Sequence, residues 1–96
     1  MSMSQPSEHP LNELMGDLVV VDARSPYVFL GRLVGESPTF IMLDEVDAHD
    51  LRDTATTREQ YVLNVRAHGI RPNRRRLWVN LREVVCVSRL DDVMID

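Results

Sequence analysis

Residues able to do chemistry gather in two stretches of this 96-residue sequence. Asp44, Glu45, Asp47, His49, Asp50 and Asp53 crowd carboxylates and one imidazole together, the raw material of a cation site. A calcium loop needs ligands at fixed spacing around a central glycine, which this stretch lacks, so a solvated loop is expected. No Cys/His spacing suits zinc, and neither a metal nor any other cofactor is expected. The second stretch is basic: Arg71, Arg74, Arg75 and Arg76 stand just before the single tryptophan, Trp78. Guanidinium groups neutralise phosphates and an exposed indole stacks on a base, so this pairing suits a single-stranded nucleic acid. The competing reading pairs the same arginines with the acidic stretch of a neighbouring subunit and packs Trp78 beneath a helix. Both readings stay open at the level of sequence.

Nucleophilic or acid-base catalysis needs a nucleophile beside a base, with donors aimed at the developing charge. His9, His49 and His68 are scattered, and His68 falls at an expected helix end, where a cation complements the dipole. Cys86, the single cysteine, lies in an apolar strand-like run, where a buried and inert thiol is expected and no intramolecular disulfide can form. Gly31 and Gly35 have no following Lys-Ser or Lys-Thr of a phosphate-binding loop. The chain is not expected to be an enzyme.

Composition frames these residues. With 44% hydrophobic and 27% charged residues the chain is an ordinary globular one, long enough for a single domain. Its net charge of −4 gives no bulk attraction to nucleic acid, so any such contact must come from the local arginine cluster. All eleven basic residues are arginine, a bias that reflects codon usage more readily than function. Apolar runs such as 18–21 are too short to cross a bilayer, and the start of the chain lacks a basic-then-apolar leader, so a cytoplasmic location away from membranes is expected.

The elements that must position the two stretches follow from periodicity. Residues 1–8 are expected to form a polar, disordered tail. Pro10 and the spacing of Leu11, Leu14 and Met15 predict a short helix over 9–15, stopped at Gly16. Strands are predicted over 18–21, 27–34 and 39–46, with Gly31 where a strongly bent strand needs no side chain. In the third strand Phe40 and Met42 share one face while Thr39, Ile41 and Leu43 share the other. Residues 47–56 read as a polar loop. Thr56 and Glu59 have capping-box spacing, and a helix over 57–68 carries Tyr61, Val62, Val65 and His68 along one stripe. Its β-branched residues leave a strand as the alternative. A strand over 75–80, a tight helical turn over 80–83 and a last strand over 84–90 complete five strands, which protect their edges by curling into a small barrel.

Three segments carry a resemblance to a known family: Pro10-Leu11-Asn12-Glu13-Leu14 leading into Gly16-Asp17-Leu18-Val19-Val20-Val21, then Gly31-Arg32-Leu33-Val34-Gly35, then Ile41-Met42-Leu43-Asp44-Glu45-Val46-Asp47. In these the chain resembles the Sm and Sm-like (LSm) proteins, over residues 9–47 and 75–90. The resemblance implies a mainly β fold: a five-stranded SH3-like barrel with an N-terminal helix, spanning 9–93, here with a second helix inserted between strands 3 and 4. It implies a homo-oligomeric ring, in which the fourth strand pairs with the fifth strand of the next subunit, and possible binding of single-stranded RNA. The expected RNA contacts are Arg74, Arg75, Arg76, Asn80 and Arg82. Against RNA stand the departures from the family pattern. Ser37-Pro38-Thr39-Phe40-Ile41 replaces the segment with the family's Asp and Asn, and Asn80-Leu81 replaces its Arg-Gly pair. The alternative is therefore a structural or protein-interaction module that assembles but has lost the RNA residues.

Overall fold

Three successive valines decide the centre of the molecule. In β1 (Leu18–Ala23) Val19, Val20 and Val21 are all buried, Val19 and Val21 in one apolar cluster and Val20 in another. A strand with apolar residues on both sides must be covered on both sides. The computed structural model, which describes residues 10–95, shows how; the tail expected over 1–8 lies outside the described residues.

A 3-10 helix (Pro10–Leu14) leads into β1, followed by β2 (Tyr27–Glu36), β3 (Phe40–Asp50), α1 (Arg58–His68), β4 (Arg74–Asn80) and β5 (Val84–Arg89). The five strands form one antiparallel sheet in the order β4-β3-β2-β1-β5. The expected barrel does not close: β4 and β5 are the two edges and do not pair with each other. The reason lies in the 3-10 turn Leu81–Glu83, which was expected as a tight helical turn and which carries the chain across to β1, where Val21 and Val87 are partners.

Bending is concentrated at Gly31. Leu30 pairs with Asp47 and Arg32 with Asp44, so Glu45 and Val46 face the single residue Gly31, a β-bulge. Glu45 takes the left-handed conformation (φ 51°) that the extra residue requires. A Cβ on Gly31 would lie 3.0 Å from the Asp44 carbonyl oxygen and 3.2 Å from the Val46 Cα. The sequence expectation of a bare residue at a strong bend thus has its cause in backbone approach.

On the inner side of the bend Val19, Val21, Leu33, Ile41, Leu43, Val46 and Val79 make one core, closed by Leu11 and Leu14 of the N-terminal 3-10 helix. On the outer side Val20, Val28 and Leu30 pack with Val62 and Val65 of α1 and with Leu90. The helix reading of 57–68 therefore holds over the strand alternative, and the stripe Val62 and Val65 is the buried one. Its capping box sits one residue later than Thr56 and Glu59: Thr57 Oγ1 accepts from Gln60 N at 3.1 Å, and Gln60 Oε1 accepts from Thr57 N at 3.2 Å. Arg58 ties the start of α1 to the β1–β2 turn, donating to Asp22 Oδ1 and the Tyr27 carbonyl at 3.1 Å each. The supposed loop at 47–50 is a continuation of β3, because β2 extends far enough for Tyr27 to pair with Asp50.

Candidate nucleic-acid interface

β4 carries four of the five expected contact residues but separates them, and Arg82 falls in the 3-10 turn that follows. Arg74 to Arg76 occupy its first half and Asn80 its end, and six residues of extended chain span about 20 Å. Asn80 and Arg82 are brought together in the 3-10 turn: the Asn80 side chain accepts from the Arg82 backbone N–H at 2.9 Å. That turn meets the β2–β3 turn through Leu81 N donating to the Thr39 carbonyl at 2.9 Å. Between them Pro38, Thr39, Phe40, Asn80, Leu81 and Arg82 line an open cavity of about 490 Å³. The β2–β3 turn is set by Ser37, whose hydroxyl oxygen accepts from Thr39 N at 3.3 Å and Phe40 N at 3.0 Å. The segments that depart from the pattern of the resemblance, 37–41 and 80–81, are therefore neighbours in space.

The arginine cluster is less free than its composition implies. Arg76 makes a two-point pair with Asp44, at 2.6 Å and 3.0 Å, and this bond holds the Asp44 carboxyl below its ordinary range. Arg76 thus finds its acidic partner across β3–β4 in the same chain, whereas the competing reading of the sequence pairs it with a neighbouring subunit. Arg74 donates to the Asn73 carbonyl at 3.0 Å. The Arg75 and Arg82 side chains are exposed and have no hydrogen bond or ion pair among the described residues.

Trp78 does not lie under the helix. It is 58% exposed, across the β3–β4 ladder from Met42, with Phe40 (40% exposed) one step along. Gly35, Glu36, Ser37, Phe40, Met42 and Trp78 line a hollow of about 190 Å³ there. At the opposite edge Val85 of β5 is 66% exposed, and Cys86 beside it is exposed too, which overturns the buried thiol expected from its apolar surroundings in sequence. An edge strand has no neighbour to cover it. The Cys86 Sγ lies 3.3 Å from Asp22 Oδ2, and partial burial with that bond raises its pKa.

The acidic stretch disperses. Asp44 turns to Arg76, Asp47 accepts from the Tyr61 hydroxyl, and Asp50 pairs with Arg52 at 2.7 Å, which holds its carboxyl down at about 2. Among the described residues no three His, Cys, Asp or Glu side chains are grouped to hold a metal ion. What sequence reasoning missed is the contact of β3 with α1. Asp47 and His49 point the same way, and His49 stacks on Tyr61 with ring centroids 3.8 Å apart and planes 8° from parallel. The alternation of Asp47 and His49 was the available signal, obscured by reading 47–56 as loop.

No family model and no curated protein matches the sequence. In three dimensions the chain is similar to an Sm protein of Pyrococcus abyssii whose structure was solved in complex with a uridine heptamer: TM-score 0.56, 16% sequence identity, covering 85% of this chain and 99% of that one. The chain therefore has an Sm-like fold, as its sequence segments implied.

Proposed function

We propose that this protein is an Sm-like, ring-forming module that joins copies of itself by pairing β4 of one subunit with β5 of the next, and that the assembly binds single-stranded RNA. The observation that carries the reading is the state of the sheet's two edges. Among the described residues both β4 and β5 leave one backbone rim unpaired, and both expose a large apolar side chain, Trp78 and Val85. Bare edges with apolar residues are liabilities in a monomer and complementary surfaces in an assembly. A closed ring uses every edge.

RNA is supported by the fold's likeness to a protein solved with a uridine heptamer and by the cavity that Asn80 and Arg82 share with the β2–β3 turn. Repetition around a ring multiplies one modest site into a strand-binding surface. The Arg76–Asp44 pair favours the rival reading, an assembly module without RNA, because it removes one expected phosphate contact.

Light scattering after size exclusion, followed by titration with labelled poly-U at two salt concentrations, tests both parts. The single tryptophan serves as the probe of the edge: its emission is expected to shift to shorter wavelength on concentration as Trp78 is covered. A ring whose poly-U affinity falls steeply with salt supports the whole reading. A ring indifferent to poly-U removes the RNA half, and a chain that stays monomeric at high concentration removes both.

A further inference from the structure

The groove where the C-terminal half of α1 faces β3 is a different kind of place from the edges. It is a cavity of about 450 Å³, within the ordinary range of small-molecule sites, with an apolar wall at Val65 and a few converging polar groups. Its deepest charge is Asp47, only 4% exposed, whose carboxylate accepts from the Tyr61 hydroxyl. His49 lies flat against Tyr61 and fixes that ring. Burial, with the bond to Asp47, raises the Tyr61 pKa, so the phenol remains a donor and occupies only part of the carboxylate's accepting capacity.

The rest of the lining has a fixed backbone and unused side chains. Asn64 and His68 stand one helical turn apart on the same face, and Gly69 ends the helix, its N–H donating to Val65 O at 2.7 Å. Arg71 follows on a loop pinned to β3 by Asn73: its backbone N–H donates to Val46 O at 2.8 Å and its side-chain amide exchanges hydrogen bonds with both Ala48 backbone groups at 3.0 Å each. Asn64, His68 and Arg71 all line the cavity, and their side chains have no hydrogen bond or ion pair among the described residues.

The charges are ordered from inside to outside. The floor holds a carboxylate, which favours hydrogen-bond donors; the mouth, at the C-terminal end of α1, holds a guanidinium and an imidazole, which favour an anion. A simple anion would meet the negative floor, and a simple cation the positive mouth. A ligand with donor groups at one end, a flat apolar body and an anionic group at the other satisfies both. We propose that this groove binds a nucleotide whose base bears an exocyclic amine, the amine directed to Asp47 and Asn64 and the phosphate to Arg71 and His68. The site lies on the inserted helix and requires neither ring assembly nor the Asn80–Arg82 cavity.

Calorimetric titration of the full chain with 5′-CMP and 5′-UMP tests it, because the two differ at the base only by an amine against a carbonyl. CMP is expected to bind at least about tenfold more tightly than UMP, since uracil would set an acceptor against the carboxylate. Arg71→Ala and Asn64→Ala, exposed changes that leave the core intact, are each expected to weaken CMP by about tenfold, and Arg71→Ala is expected to weaken cytidine much less. Equal binding of CMP and UMP, binding that survives Arg71→Ala, or no binding of CMP at millimolar concentration overturns the proposal. Poly-U affinity measured on the Asn64→Ala protein, whose residue belongs to no expected RNA contact, separates this site from the RNA reading: it is expected to stay unchanged.

Discussion

Two halves of one sheet face meet very different surroundings. Beneath α1, Val20, Val28 and Leu30 are sealed against Val62 and Val65, and even the polar residues of β3 there, Asp47 and His49, are engaged by Tyr61. Beyond the helix the same β3 presents Asp44, Met42 and Phe40, and β4 presents Arg76 and Trp78. Met42 and Trp78 are partners across the β3–β4 ladder, and the indole is mostly in solvent. The difference teaches where each part gets its stability: the covered half from side chains of its own chain, the bare half from whatever pairs the β4 edge. An eleven-residue helix covers one half and cannot reach the other.

Replacing Leu30 by Ala should break the covered half most severely, since a fully buried leucine between sheet and helix is lost; thermal or urea unfolding is expected to show about 3 kcal/mol of destabilisation. Gly31→Ala strikes the hinge between the sides, where the new methyl meets backbone that cannot step aside, and about 2 kcal/mol is expected by the same measurement. Arg58→Ala unlatches α1 from the β1–β2 turn; because the pair with Asp22 is partly solvated, about 1 kcal/mol is expected, with amide exchange quickening in α1 before the strands. Trp78→Ser in the bare half should shift monomer stability by less than about 0.5 kcal/mol yet abolish concentration-dependent assembly in light scattering. A large loss of monomer stability in that variant would erase the contrast between the halves.

The smallest effect is at the surface beside the covered half. Asp50, held by Arg52, has a folded pKa of about 2 against an ordinary 3.8. A lowered carboxyl pKa contributes stability that is present above 3.8 and is lost as pH falls through the range from 3.8 to about 2. A carbon-detected NMR titration should find the Asp50 midpoint near 2, and Arg52→Ala should return it toward 3.8.

Much of this was legible in the order of residues. The valine run of β1, the bare Gly31, the helix ended by Gly69 and the tight turn after Asn80 are local signals, each resting on a period or on a residue with unusual backbone freedom. The candidate sites were less legible. Arg74, Arg75 and Arg76 look like one cluster in sequence, yet alternation along a strand turns neighbours to opposite faces and Asp44 claims Arg76. Cys86 reads as core because its neighbours are apolar, but apolar neighbours do not say whether a strand lies inside or at an edge.

By itself the sequence determined the kind of element at nearly every position, because helix, strand and turn preferences are set by interactions within a few residues. Only the tertiary structure decided which strands became edges, which half of the outer face α1 would shield, and that Asp47, Tyr61, Asn64 and Arg71 would surround one groove. Those outcomes depend on contacts between residues far apart in the chain, and neither spacing nor composition encodes the path by which distant segments meet.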